Sequence, residues 1–292
     1  MPEARLAVGV VGVGRAGAVL GAALDRVGHR VVAVHATSPA SLDRASRLFP
    51  DAPVVPVPEV FARSDLVLLT VPDDVLPGLV AQAADEGWVR PGQFIVHCSG
   101  RYGITQLGPL TECGALPLAL HPVMTLTGRI EDVDRLVGCP FGVTAPESLQ
   151  TVAAALVVEM GGEPMFVLEE RRPLYHAALA HSANHMITLV AEAMDLLSLA
   201  GVERPDRMLG PLLGAALDNA LAHGDRALTG PVSRGDAGTV ATHLSELADV
   251  SEAIAESYRS LARRTADRAL AAGTLDPAVA ERLLGVLADR RA

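Results

Sequence analysis

An apolar run, Leu6-Ala7-Val8-Gly9-Val10-Val11, enters a glycine-patterned turn, Gly12-Val13-Gly14-Arg15-Ala16-Gly17, and a small-residue stretch over 18–27 leaves it as a helix. The first glycine permits a tight turn. The second lets a ligand's phosphates reach the backbone, and the third lets the helix pack closely on the strand. A helix N-terminus contributes unpaired N–H groups and a partial positive charge. The pattern therefore predicts a dinucleotide pyrophosphate held over Gly12, Val13, Gly14, Arg15, Ala16 and Gly17.

The chain beyond this turn alternates apolar, β-branched runs with helical stretches. Strands are predicted at 30–35, 54–57, 66–70, 94–97 and 116–120, with a helix from Pro72-Asp73-Asp74 to about 84. A strand, a helix and a strand at 141–144, 147–160 and 164–168 complete the unit. Such alternation predicts an α/β fold, a Rossmann-like doubly wound parallel sheet. Glu169-Glu170-Arg171-Arg172-Pro173 reads as a charged breaker between domains at 1–168 and 169–292. Beyond it the period is helical throughout, with helices expected at 173–200, 205–222 and 237–271 and after Asp276-Pro277.

Composition narrows the partners. A net charge of −10 and a pI near 5.3 argue against nucleic acid, which needs clustered cations. All 24 basic side chains are arginine, so no lysine is available for Schiff-base or general-base chemistry. Cys98, Cys113 and Cys139 are too few and scattered for a disulfide framework or zinc site. The N-terminus lacks the form of a signal peptide, and no apolar run approaches the roughly 20 residues of a membrane span. The expectation is a cytoplasmic protein with no membrane partner.

The end of the second strand, His35-Ala36-Thr37-Ser38, carries no acid at the position that meets an adenosine ribose. An acid there would bind the 2′-hydroxyl of NAD and repel a 2′-phosphate. Its absence, with the hydroxyls of Thr37 and Ser38 and with Arg44 and Arg47 nearby, predicts NADP(H). Ser38 also suits the cap of the next helix, with Pro39 at its first position. Ligands in such sheets lie at the carboxyl ends of strands, so Val71, Pro72, Ser99 and Gly100 are expected to border the nicotinamide.

Two later stretches could carry chemistry. His181, Asn184, His185 and Thr188 share one face of an otherwise apolar helix, a strip that needs polar partners if buried. Ser182 occupies the position where a zinc-binding helix would carry Glu, and no metal is expected. The histidines suit helix packing as well as catalysis, whereas Asn184 is harder to explain structurally. In Gly230-Pro231-Val232-Ser233-Arg234-Gly235-Asp236, Arg234 could clamp an anion while Asp236 caps the following helix. His97 and His121 end strands on the cofactor side and suit either an acid or a structural role.

With these residues in view, the chain resembles a bacterial family of predicted oxidoreductases that join an N-terminal Rossmann-like domain to a C-terminal helical domain of unknown function. The resemblance rests on the glycine turn, Leu69-Thr70-Val71-Pro72-Asp73-Asp74, His97-Cys98-Ser99-Gly100, His121-Pro122, Ser182-Ala183-Asn184 and the 230–236 stretch. More distantly the chain is similar to the superfamily of 6-phosphogluconate dehydrogenase, pyrroline-5-carboxylate reductase, ketopantoate reductase and prephenate dehydrogenase. That similarity implies an all-α 6-phosphogluconate-dehydrogenase-like C-terminal domain, dimerisation through it, and NADP(H) chemistry between the domains. Several relatives use Lys followed by Asn four residues later. Asn184 fits the Asn, but Ala180 stands at the Lys position.

The combined expectation is an NADP-dependent oxidoreductase, moving a hydride between NADP(H) and a small carboxylate-bearing carbonyl or imine, with 2-dehydropantoate as a candidate. Asn184 would orient the reacting oxygen, His181 or His185 would supply the proton, and Arg234 would hold the anion. A homodimer is expected. The alternatives are a non-catalytic NADP(H)-binding redox sensor or partner-binding module, and a prephenate dehydrogenase- or pyrroline-5-carboxylate reductase-like activity.

Overall fold

The computed structural model describes residues 5–288. They divide into two compact units, with the boundary between Ser182 and Ala183. The first is built on seven strands: β1 (Ala7–Val11), β2 (Arg30–His35), β3 (Leu66–Leu69), β4 (Phe94–His97), β5 (Leu116–Pro122), β6 (Pro140–Thr144) and β7 (Glu163–Phe166). Their order across the sheet is β2-β1-β3-β4-β5-β6-β7. The chain leaves β1 to one side for β2 and returns past β1 to β3 on the other, so the topological switch point lies between β1 and β3.

Helices cover both faces: α1 (Arg15–Arg26), α2 (Pro39–Leu48), α3 (Val57–Arg63), α4 (Leu76–Asp85), α5 (Gly108–Glu112), α6 (Glu131–Asp134) and α7 (Gln150–Glu159). Strand residues point alternately to the two faces, and the core divides accordingly. Leu66, Leu68 and Val96 pack with Leu20 and Leu24 of α1 and Leu156 of α7. Val67, Leu69 and Ile95 pack with Phe61 of α3 and Leu76 and Val80 of α4. Burial on both faces explains why Leu66-Val67-Leu68-Leu69 reads as unbroken apolar sequence.

Three local features differ from the sequence reading. The strand expected at 54–57 shrinks to a single parallel bridge between Val34 and Val54, beside β2 at the sheet edge. Pro53 and Pro56 have no N–H to continue a ladder, and Pro58 lies in the first turn of α3. The helix expected from Pro72 begins a turn later, at Leu76, with Pro77 in its first turn. The sheet is parallel from β2 through β5, but β6 runs antiparallel to β5. Only short α6 lies between these two strands, and an antiparallel neighbour needs no full crossover helix.

The second unit is helical. α8 (Arg172–Leu199) begins in the first unit and continues into the second, followed by α9 (Pro205–His223), α10 (Ala237–Val250), α11 (Glu252–Ala271) and α12 (Pro277–Ala288). The single helix expected over 237–271 is two. Ser251 is extended at φ −162° and ends α10 while its hydroxyl accepts from the Ile254 N–H to cap α11. Val240, Leu244, Ala262, Ala266 and Leu283 make the core of this unit, where alanines let α10, α11 and α12 approach closely.

Candidate active site

The glycine turn lies at the switch point, and each glycine has a separate structural reason. Gly12 adopts φ +95°, and a Cβ there would come within 2.9 Å of the Thr70 carbonyl oxygen. A Cβ on Gly17 would stand 2.2 Å from the Gly12 carbonyl and 2.3 Å from Thr70 Oγ1, so only glycine lets α1 pack on the sheet. Around Gly14 there is open space. The Thr70 hydroxyl donates to the Gly12 carbonyl at 2.7 Å and pins the turn to the end of β3. No side chain caps the α1 N-terminus, and its first turn holds no acid. Its N–H groups are thus presented to an anion, and the cradle fits a dinucleotide pyrophosphate.

At the end of β2, Thr37 and Ser38 are exposed. Ser38 forms a full capping box with Ser41: its hydroxyl accepts from the Ser41 N–H, and the Ser41 hydroxyl accepts from the Ser38 N–H. Arg44, one turn along α2, donates from Nε to the Val13 carbonyl at 3.1 Å. This bond ties α2 to the glycine turn and leaves both terminal nitrogens of Arg44 without a protein acceptor among the described residues. Val71 and Pro72 follow β3, and buried Ser99 follows β4, so all three lie at the carboxyl edge of the sheet.

That edge also carries a cluster which sequence reasoning missed. Arg172, inside the supposed charged breaker, is 0% exposed. Its Nε donates to Thr144 Oγ1 at 2.8 Å, and Nη1 donates to the Ser99 carbonyl at 3.1 Å. Nη2 donates to the carbonyls of Ala119 at 3.0 Å and Gly142 at 2.9 Å. The guanidinium thus ties together the ends of β4, β5 and β6. Glu169, from the same stretch, accepts from the N–H groups of Ile104 and Thr105 at 2.8 and 3.1 Å. Nothing local distinguishes these residues from a solvated charge run, because their partners lie 28–73 positions away.

The two strand-end histidines separate clearly. His97 is 1% exposed and uses both ring nitrogens: Nε2–H donates to the Gly103 carbonyl at 2.9 Å, and Nδ1 accepts from the Ser99 N–H at 3.2 Å. Burial holds its pKa down to about 4. It is a structural group. His121 is partly exposed, and its Nδ1 lies 2.8 Å from the Tyr175 hydroxyl. The phenol is the stronger acid and the neutral imidazole the stronger base, so the phenol donates and the ring proton resides on Nε2. Burial first, then Arg172 and the neighbouring His176 and His97, hold His121 down to about 4. Gly100 lies flat against this pair; a Cβ there would meet His176 at 2.7 Å and the His121 ring at 3.0 Å. Within the described residues His121 Nε2 has no hydrogen-bond partner.

The residues expected on the helical domain stand differently. His181, Asn184, His185 and Thr188 do share one face of α8, but every residue from 181 to 189 is exposed, including Met186 and Ile187. Arg234 is exposed, and its guanidinium has no acceptor among the described residues. The loop before it is tightly folded: Asp236 N–H donates to the Pro231 carbonyl at 2.9 Å, and Asp236 Oδ1 accepts from the Thr239 N–H at 3.0 Å as the cap of α10. Gly235, at φ +72°, lies where a Cβ would meet Val279 at 2.3 Å. Most of this motif is thus explained by folding, and only Arg234 is left over. Among the described residues, no three His, Cys, Asp or Glu side chains gather to hold a metal.

Two family models match the chain, and the boundary between them falls within the sheet of the first unit. Residues 1–122 match the profile of a Rossmann-like domain, and residues 139–265 match a domain of unknown function, DUF2520. The chain joins a Rossmann-like domain to a DUF2520 domain. No curated protein matches it in sequence. Among solved structures, a proposed NADP oxidoreductase from Bacteroides fragilis aligns with TM-score 0.71 at 22% identity, over 90% of this chain and 98% of that one. An imine reductase variant from Myxococcus stipitatus, in complex with NAD+, aligns with TM-score 0.62 at 19% identity, over 96% and 100%. A 1-pyrroline-5-carboxylate reductase from Streptococcus pyogenes aligns with TM-score 0.60 at 14% identity, over 91% and 98%. At these identities the likeness is one of fold. The DUF2520 match begins at β6 and ends within α11, so it takes in Arg172 and Tyr175 as well as much of the helical unit. Among the described residues no helix is long and apolar enough to cross a membrane.

Proposed function

We propose that the protein is an NADP(H)-dependent oxidoreductase acting on a small carbonyl or imine that bears a carboxylate. One observation carries this reading: the turn in which Gly12 bends, Gly14 leaves room and Gly17 admits α1. Gly12 to Gly17 would hold the pyrophosphate, Thr37 and Ser38 the adenosine side, and Val71, Pro72 and Ser99 the nicotinamide side. When bound, NADP(H) supplies or accepts the hydride. The protein's part is positioning and charge stabilisation.

For the charge that develops on the substrate we favour His121. Its neutral ring, fixed by Tyr175, offers Nε2–H as a hydrogen-bond donor that polarises a substrate oxygen or nitrogen, and the proton that completes the reduction comes from solvent. Arg172 supplies a fixed positive field behind it. Asn184, His181 and His185 remain the candidates for a contribution from α8, and Arg234 the candidate for the substrate carboxylate.

The test measures NADPH oxidation with a panel of 2-oxo acids and cyclic imines, alongside NADPH and NADH binding. Turnover with one class and tighter binding of NADPH support the reading. Tight NADPH binding with no turnover across both classes would instead favour a redox-sensing module. Ser38→Asp is expected to weaken NADPH far more than NADH, and equal weakening overturns the NADP preference.

A homodimer is part of the same proposal. Leu213, Leu217 and Leu221, spaced four residues apart on one face of α9, are 38%, 49% and 80% exposed, an apolar stripe open to a second copy. Light scattering that gives a monomer at micromolar concentration would overturn it.

A further inference from the structure

The connection between β5 and β6 reaches the glycine turn. Gly128, at φ +83°, packs so closely that a Cβ there would meet Arg15 Cα at 3.0 Å and Arg44 Cδ at 3.2 Å. The connection is held in this shape by Asp132, which is 2% exposed. Its Oδ2 accepts from the Thr127 N–H at 2.6 Å, the Thr127 hydroxyl at 2.9 Å and the Gly128 N–H at 3.0 Å, while Arg135 donates to Oδ1 at 3.2 Å. Burial raises the Asp132 pKa, but these bonds outweigh burial and hold the carboxyl below its ordinary range, so it stays charged. The staple is built from local residues and does not depend on a ligand.

Beside Gly128 lies a cavity of about 730 Å³, lined by Arg47, Leu48, Gly128, Arg129, Ile130 and Glu131. The charges around it are unbalanced. Arg47 is paired with Asp43 at 2.7 Å. Among the described residues, Arg15 and Arg129 have no carboxylate partner, and Arg44 is bonded only through Nε. Glu131 is the one acid that lines the cavity. Arg15 and Arg44 thus pack against Gly128, the residue before Arg129, so arginines from the glycine turn, α2 and this connection lie on neighbouring segments.

We propose that residues 126–131 form a second wall of the dinucleotide site, and that Arg129 with Arg44 and Arg15 takes the 2′-phosphate of NADP. The inference rests on the NADP(H) reading above and adds the residues that would make the choice. A pyrophosphate is common to NAD and NADP and is met by the backbone of the turn. The additional monoester carries up to two negative charges, and forked guanidiniums match its oxygens. The empty acid position after β2 removes a repulsion; this arginine cluster supplies the attraction.

The experiment is calorimetric titration of the full chain with NADP+, NAD+ and 2′,5′-ADP. The wild type is expected to prefer NADP+ and to bind 2′,5′-ADP. Arg129→Ala and Arg44→Ala are each expected to weaken NADP+ and 2′,5′-ADP by about tenfold or more, the loss of a charge-assisted hydrogen bond, and NAD+ by less than about threefold. Arg129→Lys is expected to recover part of the loss. Asp132→Asn, which loosens the staple, is expected to narrow the gap between NADP+ and NAD+, with circular dichroism reporting whether the fold is intact. Equal weakening of NADP+ and NAD+ in the arginine variants would assign the cluster to the pyrophosphate and overturn the proposal. An unchanged preference in both would overturn it as well. A wild type that binds neither dinucleotide fails at the cofactor reading itself, a different result from a preference that survives the substitutions.

Discussion

The Tyr175 hydroxyl and His121 Nδ1 stand 2.8 Å apart, with the two rings edge to face at 88°. The bond joins the first turns of α8 to the end of β5 and selects the tautomer that points a proton outward from Nε2. Replacing His121 by Phe is expected to lower turnover by about a hundredfold or more, the usual range for a lost hydrogen-bond donor to developing charge, with NADPH affinity nearly unchanged. Tyr175→Phe should give a smaller loss of the same kind. Because His121 is held down to about 4, the rate should show no inflection near pH 6.5 from this group. Such an inflection, absent in His121→Phe, would contradict the assignment.

The glycine turn predicts opposite outcomes at neighbouring positions. Gly17→Ala forces a methyl into the Gly12 carbonyl and Thr70, and overpacking of this kind costs about 1–3 kcal/mol or more. Its melting temperature should fall markedly. Gly14→Ala meets nothing within 4 Å, so stability should hold while dinucleotide affinity drops. Parallel thermal melts and titrations separate the two, and a Gly14→Ala protein that binds normally would remove the phosphates from that side of the turn.

His97 should make the fold acid-labile. Its folded pKa, about 4, lies below the ordinary value of 6.5, so between these limits the unfolded chain binds the extra proton. Stability therefore rises with pH across this window, is complete above about 6.5, and is lost as pH falls towards 4. The contribution is of order 3 kcal/mol. Denaturant titrations from pH 4.5 to 7.5 should show a shallower slope for His97→Gln, which keeps a donor for the Gly103 carbonyl and does not titrate. An unchanged slope would mean that other groups set it.

Arg172→Met would leave the Thr144 hydroxyl and three backbone carbonyls without their buried donor. A loss of about 3–5 kcal/mol is expected, as for removing one partner of a buried charged network. Arg172→Lys keeps the charge but cannot fork to the ends of three strands, so it should recover only part of the loss. Chemical denaturation of both variants tests this, and a Lys variant as stable as wild type would show that the charge alone suffices.

The distance between sequence and structure varies with the kind of residue. Leu66-Val67-Leu68-Leu69 and Phe94-Ile95-Val96-His97 are legible as strands because both faces of the sheet are apolar. The Thr-Ser-Pro sequence at 37–39 is legible as a helix start because capping is local. The stretch at 54–57 reads as a strand but forms only a bridge, because prolines withhold donors that the apolar pattern does not reveal. Periodicity sets His181, Asn184, His185 and Thr188 on one face of α8, but it does not report whether that face is covered.

What the sequence determined by itself is the class of fold and the anion cradle. Both depend on neighbours a few positions apart: the glycine spacing, the alternating runs, and the absence of an acid after β2. Only the tertiary structure decided which histidine is structural and which is presented. The same holds for Arg172 and Glu169, which are internal ties rather than surface charge, and for Gly128, which comes to rest against Arg15 and Arg44. Apart from the hydrogen bonds of His97, whose partners lie 2 and 6 positions away, those outcomes depend on residues 28–113 positions apart meeting, where burial and hydrogen-bond partners, not residue type, set each group's role.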